Sequence, residues 1–450
     1  MTQAPLRDRY SGLRADLGAA AAAVLLVLAA VLVGRHLQDT RRTLFVHWPP
    51  LFADWDPHLG PGTPAAVLVA FVVVAYGPSA AARLPWRGLL PAAWGTALAW
   101  TGSLALVDGW QRGVAGRLTT RNEYLTVVGR FHDIPAALRD FTHHIVSGSP
   151  APWPAHIAGH PPAATLTFVL LDRAGLRGGG WAAAWCLTVG ATACVAVLVA
   201  VRALAGEDLA RRAAPFLVMA PAAVWAGVSA DGYFAAVAAW SVALLALAVT
   251  GRSVFWAAGS GLLYGLTCYL SYGLTLFALI GAAVLVAGRQ RVRERPVLPV
   301  LFLAGVAVVP VAFTLSGFDW WEGYRLLVTR YYQGVGGTRP YGYWVWANLA
   351  CTVLITGLAT AAGLRRAGAS ATRRTAPRSE LRLALVVAAA LAALLVADLS
   401  GMSKAETERI WLPFATWLLA ACAFLPRPRG WLAAQAVLAL LLNHLLFTGW

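Results

Sequence analysis

Residues 20 to 33 read AAAAVLLVLAAVLV, an unbroken apolar run, and runs of this kind recur to the end of the chain. A helix needs about 20 such residues to cross a bilayer. A membrane β-barrel would need short segments that alternate between lipid and lumen, and these runs do not alternate. The apolar fraction is 59%, above the roughly 45–50% of soluble domains. The sequence therefore predicts an all-α polytopic membrane protein with about 13–14 transmembrane helices. Candidate spans fall near 17–34, 64–82, 88–107, 161–175, 181–203, 213–229, 233–250, 254–270, 272–288, 297–316, 343–363, 382–398, 410–426 and 430–447.

The formal charge of +16 sits in short linkers between spans. The bias of basic residues toward the cytoplasm accounts for it without a nucleic-acid partner. GRQRVRERP (288–296), LRRAGASATRRTAPRSELR (364–382), RPR (427–429) and the N-terminal LRDRYSGLR are the cytoplasmic markers. Working outward from them, 35–63, 109–160, 317–342 and 399–409 fall on the non-cytoplasmic face, joined by the turn 229–233. One conflict arises between 161 and 212. RAGLRGGG (173–180) and RALAGEDLARR (202–212) both read as cytoplasmic, yet one run of ordinary length separates them. Either 181–203 doubles back through Gly190, or a neighbouring segment does not cross.

The first apolar run follows basic residues as a signal peptide does, but lacks a small-residue cleavage site and is read as a retained span. The five cysteines all lie in apolar segments without CxxC spacing, so neither a zinc site nor a disulfide framework is indicated.

The loop 109–160 contains RNEYLTVVGRF and PAALRDFTHHIV, which carry apolar residues at helical spacing and read as short amphipathic helices on the membrane surface. SPAPWPAHIAGHPP then breaks helix until a span opens at Pro161–Pro162. The stretch 401–414, GMSKAETERIWLPF, holds the chain's single lysine, Lys404, and Arg409, with Glu406 and Glu408 near enough to neutralise both.

These features together resemble the glycosyltransferase C superfamily, as in bacterial aminoarabinose transferases and protein O-mannosyltransferases. The residues that carry the resemblance are Asn122, Glu123 and Tyr124 in RNEYL, then His160, Pro161 and Pro162 in GHPP, then Lys404, Arg409, Ile410, Trp411, Leu412 and Pro413. It extends over roughly 88 to 426. Asn122 stands where a second carboxylate is usual, and Ile410 where an aromatic is usual. The resemblance divides the chain into an extra helical hairpin with its outer loop, 1–87, and a transferase-like core, 88–450.

The resemblance implies transfer of a sugar from a polyprenyl-phosphate donor to an acceptor hydroxyl, at an integral plasma-membrane site on the non-cytoplasmic face. The acceptor would be a polysaccharide, glycolipid or protein, and membrane lipid the surrounding partner. Glu123 is the expected catalytic base. A general base typically contributes about 10²–10⁴-fold. Lys404 and Arg409 are the expected ligands of the leaving phosphate, with Arg339 a further contact. Tyr124, His160, Tyr332 and Tyr341 are candidate substrate contacts. Asp231, in SADGYF, is either another such contact or the cap of a helix starting at Gly232. Asp54 and Asp56, with His47 and His58 nearby, form an alternative catalytic pair or a divalent-cation site. No cofactor is otherwise implied.

A coupled transporter would keep ionisable residues in mid-span, where each costs at least ~2.5–3.5 kcal/mol. The apolar runs here are nearly free of charge. Two other classes stay open at this stage, a polyprenyl-linked lipid flippase and a non-catalytic cell-envelope assembly protein.

Overall fold

The computed structural model describes residues 12–251 and 253–449. It is 79% helical, and its single sheet among the described residues is a ribbon pairing Ala53–Trp55 with Leu446–Thr448. The architecture is all-α and polytopic.

Among the described residues seven helices are long and apolar enough to cross a membrane: Leu13–Arg41, Thr63–Arg83, Trp86–Asp108, Gly179–Ala205, Ala230–Thr250, Val297–Leu315 and Arg378–Leu399. The pair Tyr341–Thr356 and Leu358–Thr372 has the length and apolarity of an eighth only when taken together, and it is bent by 104°. Gly357 forms the hinge with φ +81, and a Cβ there would lie 2.7 Å from Gln435 Cγ. Only glycine meets both demands without strain. The remaining expected spans are realised as shorter or broken helices, such as Phe255–Leu270, Tyr272–Ala287 and Leu412–Phe424.

Contacts between linkers sort the chain into two ends. At one, Arg339 donates to Leu44 O, Phe52 N to Glu408, Ser147 N to Gln333, and Arg409 pairs with Asp231. All five segments expected on one face, 35–63, 109–160, 229–233, 317–342 and 399–409, meet there. At the other end Asp16 pairs with Arg365 and Arg366, Arg211 donates to Ala81 O and Leu84 O, and Arg382 to Leu204 O. The described chain thus starts at the basic end and finishes, through the ribbon, at the other.

The parity conflict resolves in the same terms. Gly179–Ala205 runs as one 27-residue span, so it does not double back. Pro162–Arg173 has only 12 residues, about 18 Å at 1.5 Å per residue and too short to cross. Arg173 donates to Phe131 O and His132 O in the long loop, and a Cβ on Gly179 would meet Ala115 O of the same loop. RAGLRGGG therefore lies with loop 109–160, against its cytoplasmic reading.

The two N-terminal helices pack on different partners. Leu13–Arg41 lies against the bent pair 341–372, whereas Thr63–Arg83 lies against Trp86–Ala105, Glu207–Val218 and Pro428–Leu445. The amphipathic segments of the long loop are a 3₁₀ helix, Tyr124–Phe131, a one-and-a-half-turn helix, Ile134–Arg139, and a further 3₁₀ turn, Phe141–His144. Their apolar residues Tyr124, Val127, Phe131, Phe141 and Ile145 are buried in the main core. The apolar face therefore meets protein, which corrects the expectation of helices lying on a membrane surface. All five cysteines are free.

Candidate active site

Glu123 precedes the 3₁₀ helix Tyr124–Phe131 with extended backbone, φ −95 and ψ 161, and its carbonyl accepts from Thr126 Oγ1. That geometry turns its side chain inward, where it is 11% exposed and pairs with His156 Nδ1 at 2.9 Å. His156 belongs to the short helix Ala155–Gly159, and its amide donates to Asn122 O, so the two segments are tied twice. Tyr124 stacks on Phe168 and meets the rings of His156 and His160 at 6.3 and 6.0 Å. Its buried hydroxyl has no hydrogen-bond partner.

His160 ends the helix Ala155–Gly159 and donates or accepts through Nδ1 at His156 O, 2.7 Å away. Burial pushes its pKa down to about 4, outweighing the nearby Asp231. It is therefore neutral at pH 7.

Asp231 sits in the first turn of Ala230–Thr250, but it is not the cap. Ser229 caps that helix by accepting from Asp231 N. The Asp231 carboxylate instead accepts from Arg409 Nη1 at 2.5 Å, both side chains being over nine-tenths buried. Burial alone would lower the Arg409 pKa, but Asp231, Glu406 and Glu123 outweigh it and raise it. The charge of Glu123 is thus felt at Arg409, and Tyr124 lies in the field of Asp231, Glu123 and Arg409 together. Burial, first, and these carboxylates hold the Tyr124 phenol well above its ordinary range. Glu123, Tyr124, His156, His160, Asp231 and Arg409 form one electrostatic cluster.

The other expected phosphate ligands stand beside it, engaged in holding the chain. Lys404 Nζ donates to Gly336 O at 2.9 Å and lies 5.3 Å from the Tyr332 ring centroid. Its amide takes the Tyr331 hydroxyl as acceptor at 3.0 Å. Arg339 donates to Leu44 O and Lys404 O and pairs with Glu406 at 3.3 Å. Glu406 reaches Arg409 at 3.8 Å, so one carboxylate links both guanidinium groups. Ala405 and Glu406 both have left-handed backbone, φ 70 and 62, an uncommon conformation for non-glycine residues. The Lys404 and Arg339 contacts fasten that turn. Tyr332 and Tyr341 are about half exposed, and the Tyr341 hydroxyl donates to Leu399 O.

Glu408 is turned inward, toward the first outer loop. It is fully buried, accepts from Phe52 N at 2.9 Å, and its Oε2 has no partner. Burial raises its pKa to about 7.

Asp54 and Asp56 lie elsewhere, on or beside the ribbon. Asp54 meets His47 at 2.5 Å, and Asp56 meets Arg112 at 2.6 Å, which pulls its pKa below the usual carboxylate range. His58 meets the Asp56 carbonyl through Nδ1 and lies 3.3 Å from Asp108 through Nε2. Among the described residues no three His, Cys, Asp or Glu side chains converge as metal ligands. Asp54 and Asp56 are thus each paired with a basic neighbour.

Sequence reading missed His156, Ser229 and the isolated burial of Glu408. The first left a signal: His156 and His160 are four apart, the spacing that puts two residues on one helical face.

No family model matches the chain, and no curated protein matches it. Among solved structures it is similar to the crystal structure of the Archaeoglobus fulgidus oligosaccharyltransferase tethered with an acceptor peptide containing the NVT sequon via a disulfide bond. The identity is 10%, the TM-score 0.41, and the match covers 73% of this chain. The chain spans about half the length of that protein, 49%. A likeness at this level establishes neither a common fold nor a common activity.

Proposed function

We propose that the chain is a membrane glycosyltransferase of the C type, moving a sugar from a polyprenyl-phosphate carrier to an acceptor hydroxyl on the non-cytoplasmic face. The observation that carries the reading is the buried Arg409–Asp231 pair, drawn from distant parts of the chain, with the buried Glu123–His156 pair in its field. A purely structural ion pair needs one acid and one base. Here a second carboxylate, an unpartnered phenol and a neutral imidazole share the same field. Such groupings are characteristic of catalytic sites.

In the proposed step the Glu123 carboxylate takes the acceptor hydroxyl's proton as its oxygen bonds to the anomeric carbon. The bond from that carbon to the phosphate oxygen breaks, and its electron pair leaves with the phosphate. Arg409 faces the charge that develops there; Asp231 and Glu406 fix its guanidinium in place beforehand, so little reorganisation is needed in the reaction. His156 orients Glu123. The Tyr124 hydroxyl supplies a hydrogen bond to donor or acceptor. Lys404 and Arg339 add positive potential beside Arg409 while tying down the turn that carries it.

Glu123→Gln tests the reading. Transfer from a polyprenyl-phosphate sugar should fall by about 10²-fold or more, with donor affinity little changed. Equal loss of both would assign Glu123 to binding. Full transfer activity would remove the base role from Glu123, whereas absence of transfer by the parent chain, with lipid movement intact, would favour a lipid flippase.

A further inference from the structure

At the basic end, away from the cluster around Glu123, a cavity of about 330 Å³ opens between the helices Thr63–Arg83, Glu207–Val218 and the start of Pro428–Leu445. Its walls are of two kinds. Phe216, Leu425 and Pro428 make an apolar side, while Arg211 and Arg212 make a cationic one, with Asp208 at the rim. The volume is within the range, roughly 300–1,000 Å³, of small-molecule sites.

The two arginines differ in what holds them. Arg211 is fixed: Nη1 donates to Ala81 O and Leu84 O, and Nε and Nη2 to Glu207. It closes the end of Thr63–Arg83, whose last carbonyls lack helical partners. Arg212 is 43% exposed along its side chain, and its contacts to Asp208 and Leu425 O are long, 3.8 and 3.4 Å. Asp208 is itself 86% exposed, where a carboxylate is well screened and holds a partner weakly. Arg83 and Arg429 stand exposed at the same end, and Arg429 reaches Ser79 at 3.5 Å.

The helix that forms one wall continues away from the cavity as an exposed apolar face, with Val67, Leu68, Phe71, Val72 and Tyr76 uncovered by protein. An anionic group held by Arg212 would therefore have lipid-facing surface directly beside it. Basic pockets between membrane helices on the cytoplasmic side hold anionic lipid headgroups in this way.

We propose that this cavity is a binding site for the phosphate of an anionic phospholipid, with Arg212 as its movable cation and acyl chains lying along Thr63–Arg83. The site is separate from the transferase reading and stands without it.

The full chain, purified in detergent and exposed to equal amounts of phosphatidylglycerol and phosphatidylcholine, would be examined by native mass spectrometry. Phosphatidylglycerol should be retained at least about fivefold over phosphatidylcholine, at ~1 kcal/mol per basic residue. Arg212→Glu should bring retention down to the phosphatidylcholine level, and Arg212→Lys should keep most of it. Ala82→Phe, at the lipid-facing lip, should also reduce it without altering charge. Should Arg212→Glu not fold, Arg212→Gln against Arg212→Lys gives the same reading. Equal retention of the two lipids, or retention unchanged by loss of the Arg212 charge, would overturn the site. Inorganic phosphate raising the melting temperature as far as phosphatidylglycerol does would overturn the lipid assignment and leave a free-anion site.

Discussion

Arg409 and Asp231 are 178 positions apart and meet at 2.5 Å, both buried. A pair in that setting is costly to break from one side, because the partner is left as an uncompensated charge away from water. The cluster at the head of the bundle is therefore a structural joint as well as a candidate site.

Asp231→Asn should lower stability by about 3–5 kcal/mol, the usual cost of orphaning a buried charge. Asp231→Asn combined with Arg409→Gln should recover a good part of that loss, since it leaves no charge unpaired. Melting temperatures of the two variants in one detergent would decide it; a double variant less stable than the sum of the singles would mean the pair is not coupled as the geometry indicates.

Replacing His156 separates orientation from chemistry. His156→Ala should reduce kcat for transfer by about tenfold or more while leaving donor KM near its starting value, because only the aim of Glu123 is lost. His156→Gln keeps a donor in reach and should restore part of the rate. A rise in KM with kcat unchanged would place His156 in substrate binding.

Lys404→Ala together with Arg409→Ala should weaken donor affinity, read by titration with a polyprenyl phosphate. Lys404→Ala alone removes the bond to Gly336 O and should loosen the 335–337 turn, visible as faster amide exchange there. Unchanged donor affinity in the double variant would remove both residues from the phosphate site.

Glu408 sets a pH dependence. Its carboxyl is raised from 4.5 to about 7 by burial, so between those values the folded protein keeps a proton that the unfolded chain gives up. Stability from this group is then greatest below pH 4.5 and falls as pH rises toward 7. Glu408→Gln keeps an acceptor for Phe52 N and removes the titration. Its melting temperature should match the parent near pH 4.5 and exceed it by pH 7.5, equivalent to up to about 3 kcal/mol. Parallel pH profiles for the two would refute the shift.

The helix Val297–Leu315, with 11% of its apolar window buried, is held chiefly against Phe255–Leu270. A Cβ on Gly261 would lie 2.0 Å from Phe302 O, and one on Gly305 2.2 Å from Ala258 O. Small residues allow such close backbone approach in membranes. Gly261→Leu should push the helices apart and lower the melting temperature by several degrees; no change would mean the crossing is loose.

The sequence by itself determined the class of fold. Apolar runs of span length leave a helical bundle as the way to satisfy backbone groups in lipid, and the arginine-rich linkers told which segments gather at each end. It also singled out Asp231 and Arg409, which pair, and Glu123 and His160, which flank Tyr124 and the short helix Ala155–Gly159. Short motifs can be read in this way because residue type and spacing carry them. What the sequence left open was settled by distance and by length in three dimensions. That Pro162–Arg173 stops short of crossing depends on a 12-residue helix ending where Arg173 finds the Phe131 carbonyl. That Ser229, not Asp231, caps its helix depends on Arg409 arriving from 178 residues away to take the carboxylate. Lys404, set among acids in sequence, turns to a backbone carbonyl, while Glu408 is buried and accepts from the Phe52 amide. Charge and hydropathy are properties of the chain, but ion-pair partners are chosen by packing, because a buried charge is stable only beside whichever opposite charge the fold brings within a few ångströms.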